Sequence, residues 1–161
     1  GFNASQIRDI FRSMSSSQSG KRFYTTEWEV LRDREYLWIQ KKGSSQLIPE
    51  LIIEEIERTP SFVIPRDKHI ACLDADKLNH PLTIRKWEKG DKFIPLGMNG
   101  KKKVSDYLTD KKFSLFQKEN QYVVCSGEDI VWLVNERTDH RYRITDNTQR
   151  VLFIKIKKDG Q

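Results

Sequence analysis

The 161-residue chain is long enough for one compact domain or two small ones, and it has no apolar run of about 18 residues that could make a membrane-spanning helix. Its two cysteines exclude a disulfide framework. The net charge of +6 is confined to residues 81–161, which hold 17 Lys or Arg against 11 Asp or Glu, whereas residues 1–80 hold 12 of each. This asymmetry indicates a local surface for a polyanion.

The N-terminal segment is predicted to be helical. Apolar residues recur every third or fourth position over residues 3–14, and a serine-rich stretch follows them. The chain starts without Met and without a signal-peptide pattern, so we expect a fragment of a longer cytoplasmic protein. We therefore predict that residues 1–21 are a helix and linker from a preceding domain and that residues 22–161 are the domain proper.

Strand-forming residues dominate the rest of the first half. Residues 22–42 are typical of a hairpin. The run at 51–56 is ambiguous between strand and helix, but its β-branched residues and flanking prolines favour a strand. Two more short strands are predicted at 62–64 and 69–73, with a turn between them.

The second half combines short strands with short helices. Helices are predicted at 104–110 and 113–119 from their apolar spacing. The predicted strands cover residues 82–85, 121–125, 130–134, 141–144 and 151–157. Strands so close in sequence leave no room for a series of βαβ crossovers, so the pattern predicts the α+β class.

A lysine-rich loop is the strongest candidate for a site. Gly97 and Gly100 precede three lysines and the start of the second-half helix. The spacing is not that of a P-loop, which needs Gly-x-x-x-x-Gly-Lys-Ser/Thr. A glycine loop that delivers lysines to a helix start instead suits RNA phosphates, although a solvated lysine run is the alternative. The predicted contact residues are Arg85, Lys86, Lys92, Lys101, Lys102 and Lys103.

Other chemistry finds little support in the sequence. Asp74 and Asp76 could offer oxygen ligands to a cation, but a polar turn is the favoured interpretation. The three histidines have no ligand spacing, and no nucleophile–base set can be formed. We predict neither a metal site nor a catalytic residue. Cys125 is expected to be a buried, reduced thiol, and Trp87 either packs in the core or stacks on a base.

The order of motifs in residues 74–157 carries a family resemblance. An arginine-ending strand is followed by a Gly-Asp turn, a Pro-Leu-Gly-Met loop, a Gly-Lys-Lys-Lys-Val-Ser-Asp helix and an Asp-His-Arg-Tyr-Arg segment. This order resembles the C-terminal domain of bacterial tRNA(Ile)-lysidine synthetases. Residues 1–40 resemble the region that links the family's middle helical domain to this one, and Asn135 stands where a glycine is common.

The resemblance implies a β-sandwich-like α+β domain with short flanking helices, related to a domain of phenylalanyl-tRNA synthetase β-chains. It also implies a cytoplasmic enzyme that uses ATP and magnesium to join lysine to the wobble cytidine of an isoleucine tRNA. The family's Ser-Gly-Gly-x-Asp-Ser ATP loop does not occur in this sequence. We therefore expect a tRNA-binding fragment that is inactive without the N-terminal catalytic domain. The alternative is a structural domain that orders the full-length enzyme or its homodimer without touching RNA.

Overall fold

The computed structural model describes residues 22–24, 26–32, 35–43 and 49–157. The helix predicted at 3–14 lies outside these residues, and the domain boundary at residue 21 stays a prediction. Within the described ranges, no helix is long and apolar enough to cross a membrane.

Twelve strands and two short α-helices make up the described part of the chain. The strands are β1 (Arg22–Tyr24), β2 (Trp28–Arg32), β3 (Tyr36–Lys41), β4 (Leu51–Glu57), β5 (Ala71–Asp74), β6 (Leu82–Lys86), β7 (Lys92–Phe93), β8 (Lys102–Lys103), β9 (Tyr122–Ser126), β10 (Asp129–Leu133), β11 (Arg137–Thr138) and β12 (Arg150–Ile156). The helices are α1 (Val104–Asp110) and α2 (Leu115–Glu119). The strands at 51–56, 82–85 and 151–157 and both second-half helices are thus confirmed within a residue or two, whereas the described residues of 22–42 form three antiparallel strands in place of the predicted two-stranded hairpin.

A seven-stranded sheet organises the domain, in the order β1-β2-β3-β6-β9-β10-β11. Its neighbours are antiparallel except β3 and β6, which run parallel. A parallel pair needs a long connection, and here that connection carries β4 and β5. These two strands flank β12 in a second, three-stranded sheet.

The two sheets pack face to face around the main core. From the large sheet this core takes Trp38, Ile84 and Trp132, and from the small sheet it takes Leu152 and Ile154. All five are at most 3% exposed. The arrangement confirms the predicted α+β class and its sandwich-like form.

The second face of the large sheet is covered by α1. Val104, Tyr107 and Leu108 lie on one side of this helix and pack with Phe93 and other apolar residues in a separate core cluster. The following helix, α2, begins at a capping box in which the Ser114 hydroxyl accepts from the Gln117 amide and the Gln117 side chain accepts from the Ser114 amide. These local signals explain why so short a helix forms.

Two predicted strands are wrong. Phe62–Ile64 pairs with no strand; instead the Phe62 ring lies 6.0 Å from the ring of Phe153, on the outer face of the small sheet. Residues 141–144 contain the end of a 3-10 turn, His140–Tyr142, because the Asp139 carboxylate caps it by accepting from the Arg141 amide. Side-chain capping has overridden the alternating pattern in that segment.

Candidate nucleic-acid interface

The Gly-Asp turn is held by an ion pair. The Arg85 guanidinium, at the end of β6, donates to the two carboxylate oxygens of Asp91 at 2.7 and 2.9 Å. The Asp91 carboxylate also accepts from the Glu88 amide at 2.7 Å, and Gly90 has a left-handed φ of 96°. Burial opposes the charge on Arg85, but the hydrogen bonds to Asp91 and the nearby negative charges, Asp91 and Glu88 among them, together outweigh it, and the pKa of Arg85 is raised. The chain therefore folds back at this turn, as predicted.

Beyond the turn, β7 and β8 form a two-stranded ribbon that we call the lysine ribbon, residues 92–93 and 102–103. Lys92 lies opposite Lys103, and Phe93 lies opposite Lys102. Phe93 is fully buried, so it pins one face of the ribbon to the core. Since successive side chains alternate between faces, Lys92 and Lys103 share the outer face, where both are exposed.

The pairing of Lys92 with Lys103 places two positive charges directly across from each other. Like charges in such positions destabilise a strand pair. Among the described residues, no ion pair joins either ammonium group to a carboxylate, whereas Lys102 pairs with Asp110. A local repulsion of this kind is relieved when an anion binds between the two lysines.

The other predicted contact residues are placed differently. Lys101 is exposed next to the ribbon, and Lys86 is half-buried at the end of β6. Arg85 is held by Asp91, so its guanidinium braces the turn. The helix start gives no support to an anion, because α1 has only seven residues and carries Asp106 in its first turn. The positive charge therefore comes from the lysines alone.

The Pro-Leu-Gly-Met loop is held by hydrogen bonds to residues 137–140 of the same chain. The Leu96 amide donates to the Thr138 carbonyl at 3.0 Å, and the Gly97 amide donates to Nδ1 of His140 at 3.1 Å. The Arg137 guanidinium donates to the Leu96 carbonyl. Gly97 has a φ of 88°, a conformation that favours glycine. The loop is thus a fixed part of the surface beside the ribbon.

A buried carboxylate supports this loop from below. Asp139 is fully buried and accepts from the Ile94 amide at 2.8 Å and from Arg141 Nε at 3.0 Å. The Arg141 guanidinium also donates to the Asp129 carboxylate at 3.1 Å, and the Tyr142 hydroxyl donates to the same carboxylate at 2.7 Å. Burial and this bond raise the pKa of Tyr142 to about 12. Strand propensity along the sequence gave no sign of this network.

Trp87 has a structural role. Its ring is half-buried against the cluster under α1, and its Nε1 donates to the Lys118 carbonyl of α2 at 2.6 Å. On α2, the aromatic side chain of Phe116 faces solvent and is 75% exposed, and its neighbour Leu115 is 74% exposed. The sequence predicts that both residues lie on a helix but not that both are exposed. A five-residue helix is too short for its apolar spacing to show which side is buried.

The remaining candidates are explained by packing. Cys125 is buried, as predicted, and burial raises its pKa to about 11. Asp74 accepts from the Thr148 hydroxyl at 2.9 Å and from the Asp76 amide at 3.0 Å, which confirms the polar turn. No group of three or more His, Cys, Asp or Glu that could hold a metal occurs among the residues that the structure describes.

The fold is of the class seen in C-terminal domains of lysidine synthases. A solved structure described as the crystal structure of TILS C-terminal domain matches with a TM-score of 0.59 and 17% identity, over 69% of this chain and 85% of that chain. Two family models also match: TilS substrate binding domain over residues 1–42, and TilS substrate C-terminal domain over residues 82–154. The chain therefore belongs to the tRNA(Ile)-lysidine synthase family and represents its C-terminal region.

Sequence relatives agree with this assignment. The chain is 55% identical to tRNA(Ile)-lysidine synthase of Bacteroides thetaiotaomicron, over 97% of this chain and 37% of that protein. It is 44% identical to the enzyme of the same name from Parabacteroides distasonis, over 96% of this chain and 38% of that protein. The chain thus spans less than two fifths of these curated relatives.

Among solved structures, an N-terminal fragment of the phenylalanyl-tRNA synthetase β-subunit from Pyrococcus horikoshii matches with a TM-score of 0.47 and 20% identity, over 53% of this chain and 27% of that chain.

Proposed function

We propose that this chain is the tRNA-binding part of a cytoplasmic tRNA(Ile)-lysidine ligase and that the lysine ribbon contacts tRNA phosphates. The observation that carries the proposal is the direct opposition of Lys92 and Lys103 on an exposed face. The fold has Phe93 to hold the ribbon in place and gains nothing from the repulsion above it. A phosphate bound between the two ammonium groups would turn this repulsion into two attractive contacts.

The full-length protein is proposed to join lysine to the wobble cytidine of an isoleucine tRNA with ATP and magnesium. The glycine loop at residues 97–100 does not fit ATP. The glycine loop uses its amides internally: that of Gly97 donates to His140, and that of Met98 donates to the Pro95 carbonyl at 2.9 Å. These amides cannot cradle a phosphate chain, so we assign ATP to the N-terminal catalytic domain and no chemical step to this chain.

The lysines contribute unequally in this proposal. Lys92, Lys101 and Lys103 are exposed and make the principal backbone contacts. Lys102 contributes less, because its ammonium is shared with Asp110. Arg85 acts as a positioning residue, since its bond to Asp91 sets where β7 begins.

A tRNA titration against salt tests the proposal. We compare the variant Lys92→Ala/Lys101→Ala/Lys103→Ala with a control that removes three exposed lysines from other elements, Lys42, Lys77 and Lys155. The ribbon variant should bind tRNA more weakly, and the slope of log affinity against log salt should fall by about 0.7–0.9 for each phosphate that the variant no longer neutralises. The control should change little.

The alternative function is an interaction domain that orders the full-length protein or its dimer. It predicts that the ribbon variant binds tRNA with the parent's affinity and salt slope. An equal loss of affinity in both triple variants would also count against the ribbon, because it would indicate a general effect of net charge.

A further inference from the structure

Helix α2 holds two large apolar side chains in solvent. Leu115 and Phe116 are 74% and 75% exposed, although the helix itself is firmly fixed. Its start is closed by the Ser114 capping box, and Trp87 Nε1 donates to the Lys118 carbonyl. The Lys118 ammonium also donates to the Thr109 hydroxyl of α1 at 3.0 Å. Because these bonds hold α2 in place, the exposure of the Phe116 ring is a feature of the folded domain and does not result from a loosely held segment.

Phe116 forms one wall of a groove of about 370 Å³. This volume is within the range of sites that hold small organic groups. The apolar part of the groove is lined by Phe113, Tyr122, Val134 and Ile156 as well as Phe116. Among the described residues that line the groove, Glu136 is the charged one, and it pairs with Lys68 at 3.4 Å, so the lining offers a phosphate no cation. A flat, uncharged ring therefore suits the groove better than a phosphate does.

Lysines connect this groove to the ribbon. Residues 101–118 contain six lysines and two aspartates, a net charge of +4. Lys102 of the ribbon pairs with Asp110 of α1, and Lys118 of α2 donates to Thr109 of the same α1 helix at 3.0 Å. Helix α1 therefore links the ribbon to the helix that carries Phe116, and Lys111, at the end of α1, lies 5.7 Å from the centre of the Tyr107 ring. Positive charge beside an exposed aromatic ring is the pattern of single-stranded nucleic-acid sites, where the backbone follows the charge and bases stack on the ring.

We infer that Phe116 is a stacking platform for an unpaired base of the RNA whose phosphates lie on the lysine ribbon. This inference rests on the proposed function and adds a contact to it. The phosphates stay on the lysines outside the groove, because its lining supplies no cation, while the uncharged base enters beside Phe116. Stacking on an aromatic side chain contributes to affinity without reading the base's identity.

Two RNA hairpins test the inference, one with a short single-stranded overhang and one blunt. Phe116→Ala should weaken binding of the overhang hairpin by about 5- to 140-fold, the range for removal of one stacked base, and leave the blunt hairpin unchanged. The salt slope should stay constant, because every phosphate contact is kept. Leu115→Ala is the matched control, since it removes an equally exposed side chain from the same helix and should have no effect. Phe116→Tyr should retain the parent's affinity.

The platform is overturned if Phe116→Ala binds the overhang hairpin as tightly as the parent, or if Leu115→Ala weakens binding as much. Weaker binding of both hairpins would also overturn it, because a stacked overhang base cannot account for an effect on blunt RNA. The two contacts fail separately: if the ribbon variant keeps its affinity while Phe116→Ala does not, the phosphate contact on the ribbon is wrong, and tRNA binding with a base contact at Phe116 remains.

Discussion

Arg85 and Asp91 meet through two parallel hydrogen bonds, with the guanidinium nitrogens 2.7 and 2.9 Å from the carboxylate oxygens. Their side chains are only 12% and 16% exposed. The pair joins the end of β6 to the residue just before β7, so the position of the lysine ribbon depends on it. A bidentate geometry of this kind needs the planar fork of arginine.

Replacing this arginine should therefore loosen the turn. Arg85→Lys is expected to lower the free energy of unfolding by about 1–2 kcal/mol, because lysine keeps the charge but cannot make both bonds. Urea denaturation measures the change. Arg66→Lys, at an exposed position, serves as the control and should leave the unfolding midpoint unchanged. An unchanged free energy of unfolding for Arg85→Lys would mean that the turn does not depend on the two parallel bonds of the guanidinium.

Reversing one charge in the ribbon should separate stability from binding. Lys103→Glu places a carboxylate opposite Lys92 and is expected to raise the free energy of unfolding by about 0.2–1 kcal/mol, since repulsion becomes attraction. The same variant should bind tRNA more weakly than the parent. Lys101→Glu should weaken binding without the gain in stability, because Lys101 lies outside the paired positions. Chemical denaturation and a tRNA titration on both variants check this, and a decrease in the stability of Lys103→Glu would contradict it.

The buried bond between Thr148 and Asp74 should contribute to folding. The Thr148 hydroxyl donates to the Asp74 carboxylate and accepts from the Thr145 amide, both at 2.9 Å. Thr148→Val is expected to lower the free energy of unfolding by about 1–3 kcal/mol, because it leaves buried polar groups without partners. Thr59→Val, at an exposed site, is the control. Equal midpoints for the two variants in urea would refute the role of Thr148.

Stability should fall in alkaline solution because of the two thiols. Burial raises the pKa of both Cys72 and Cys125 to about 11, above the value of about 8.5 for an unfolded chain. The folded state then binds more protons than the unfolded state, so this contribution is complete below pH ~8.5 and is lost as the pH rises toward about 11. Unfolding in urea with reductant, measured from neutral pH upward, should show the decline. The Cys72→Ala/Cys125→Ala variant should show a shallower one, and an equal slope would contradict the assignment.

The parts of the fold that depend on local pattern could be predicted from the sequence. Strand β12 was predicted because apolar and charged residues alternate along it. Helix α1 was predicted because Val104, Tyr107 and Leu108 have the spacing that puts them on one side of a helix. The strand expected near Phe62 failed because an aromatic ring can pack across a sheet without pairing with it. Asn135 has a φ of 61°, which explains in backbone terms why glycine suits that position.

The candidate site was only partly accessible from the sequence. The turn at Gly90 and the exposure of Lys101 and Lys103 followed from residue types. The register that sets Lys92 opposite Lys103 did not, because a two-residue strand has no period of its own and its pairing is decided by the burial of Phe93. The engagement of Arg85 by a neighbouring carboxylate likewise depends on three-dimensional distance, which spacing along the chain does not reveal.

The central position of β12 in the small sheet has a consequence for the synthesis of the protein. Arg150–Ile156 lies between β4 and β5, although all the strands from β6 to β11 separate it from them along the chain. On the ribosome, β4 and β5 are therefore made long before the strand that joins them, and Leu73 has no strand partner until Leu152 of β12 emerges. The large sheet can assemble first, because its strands are complete by Thr138. Translation thus completes the sandwich from one side, and the small sheet is the last layer to form.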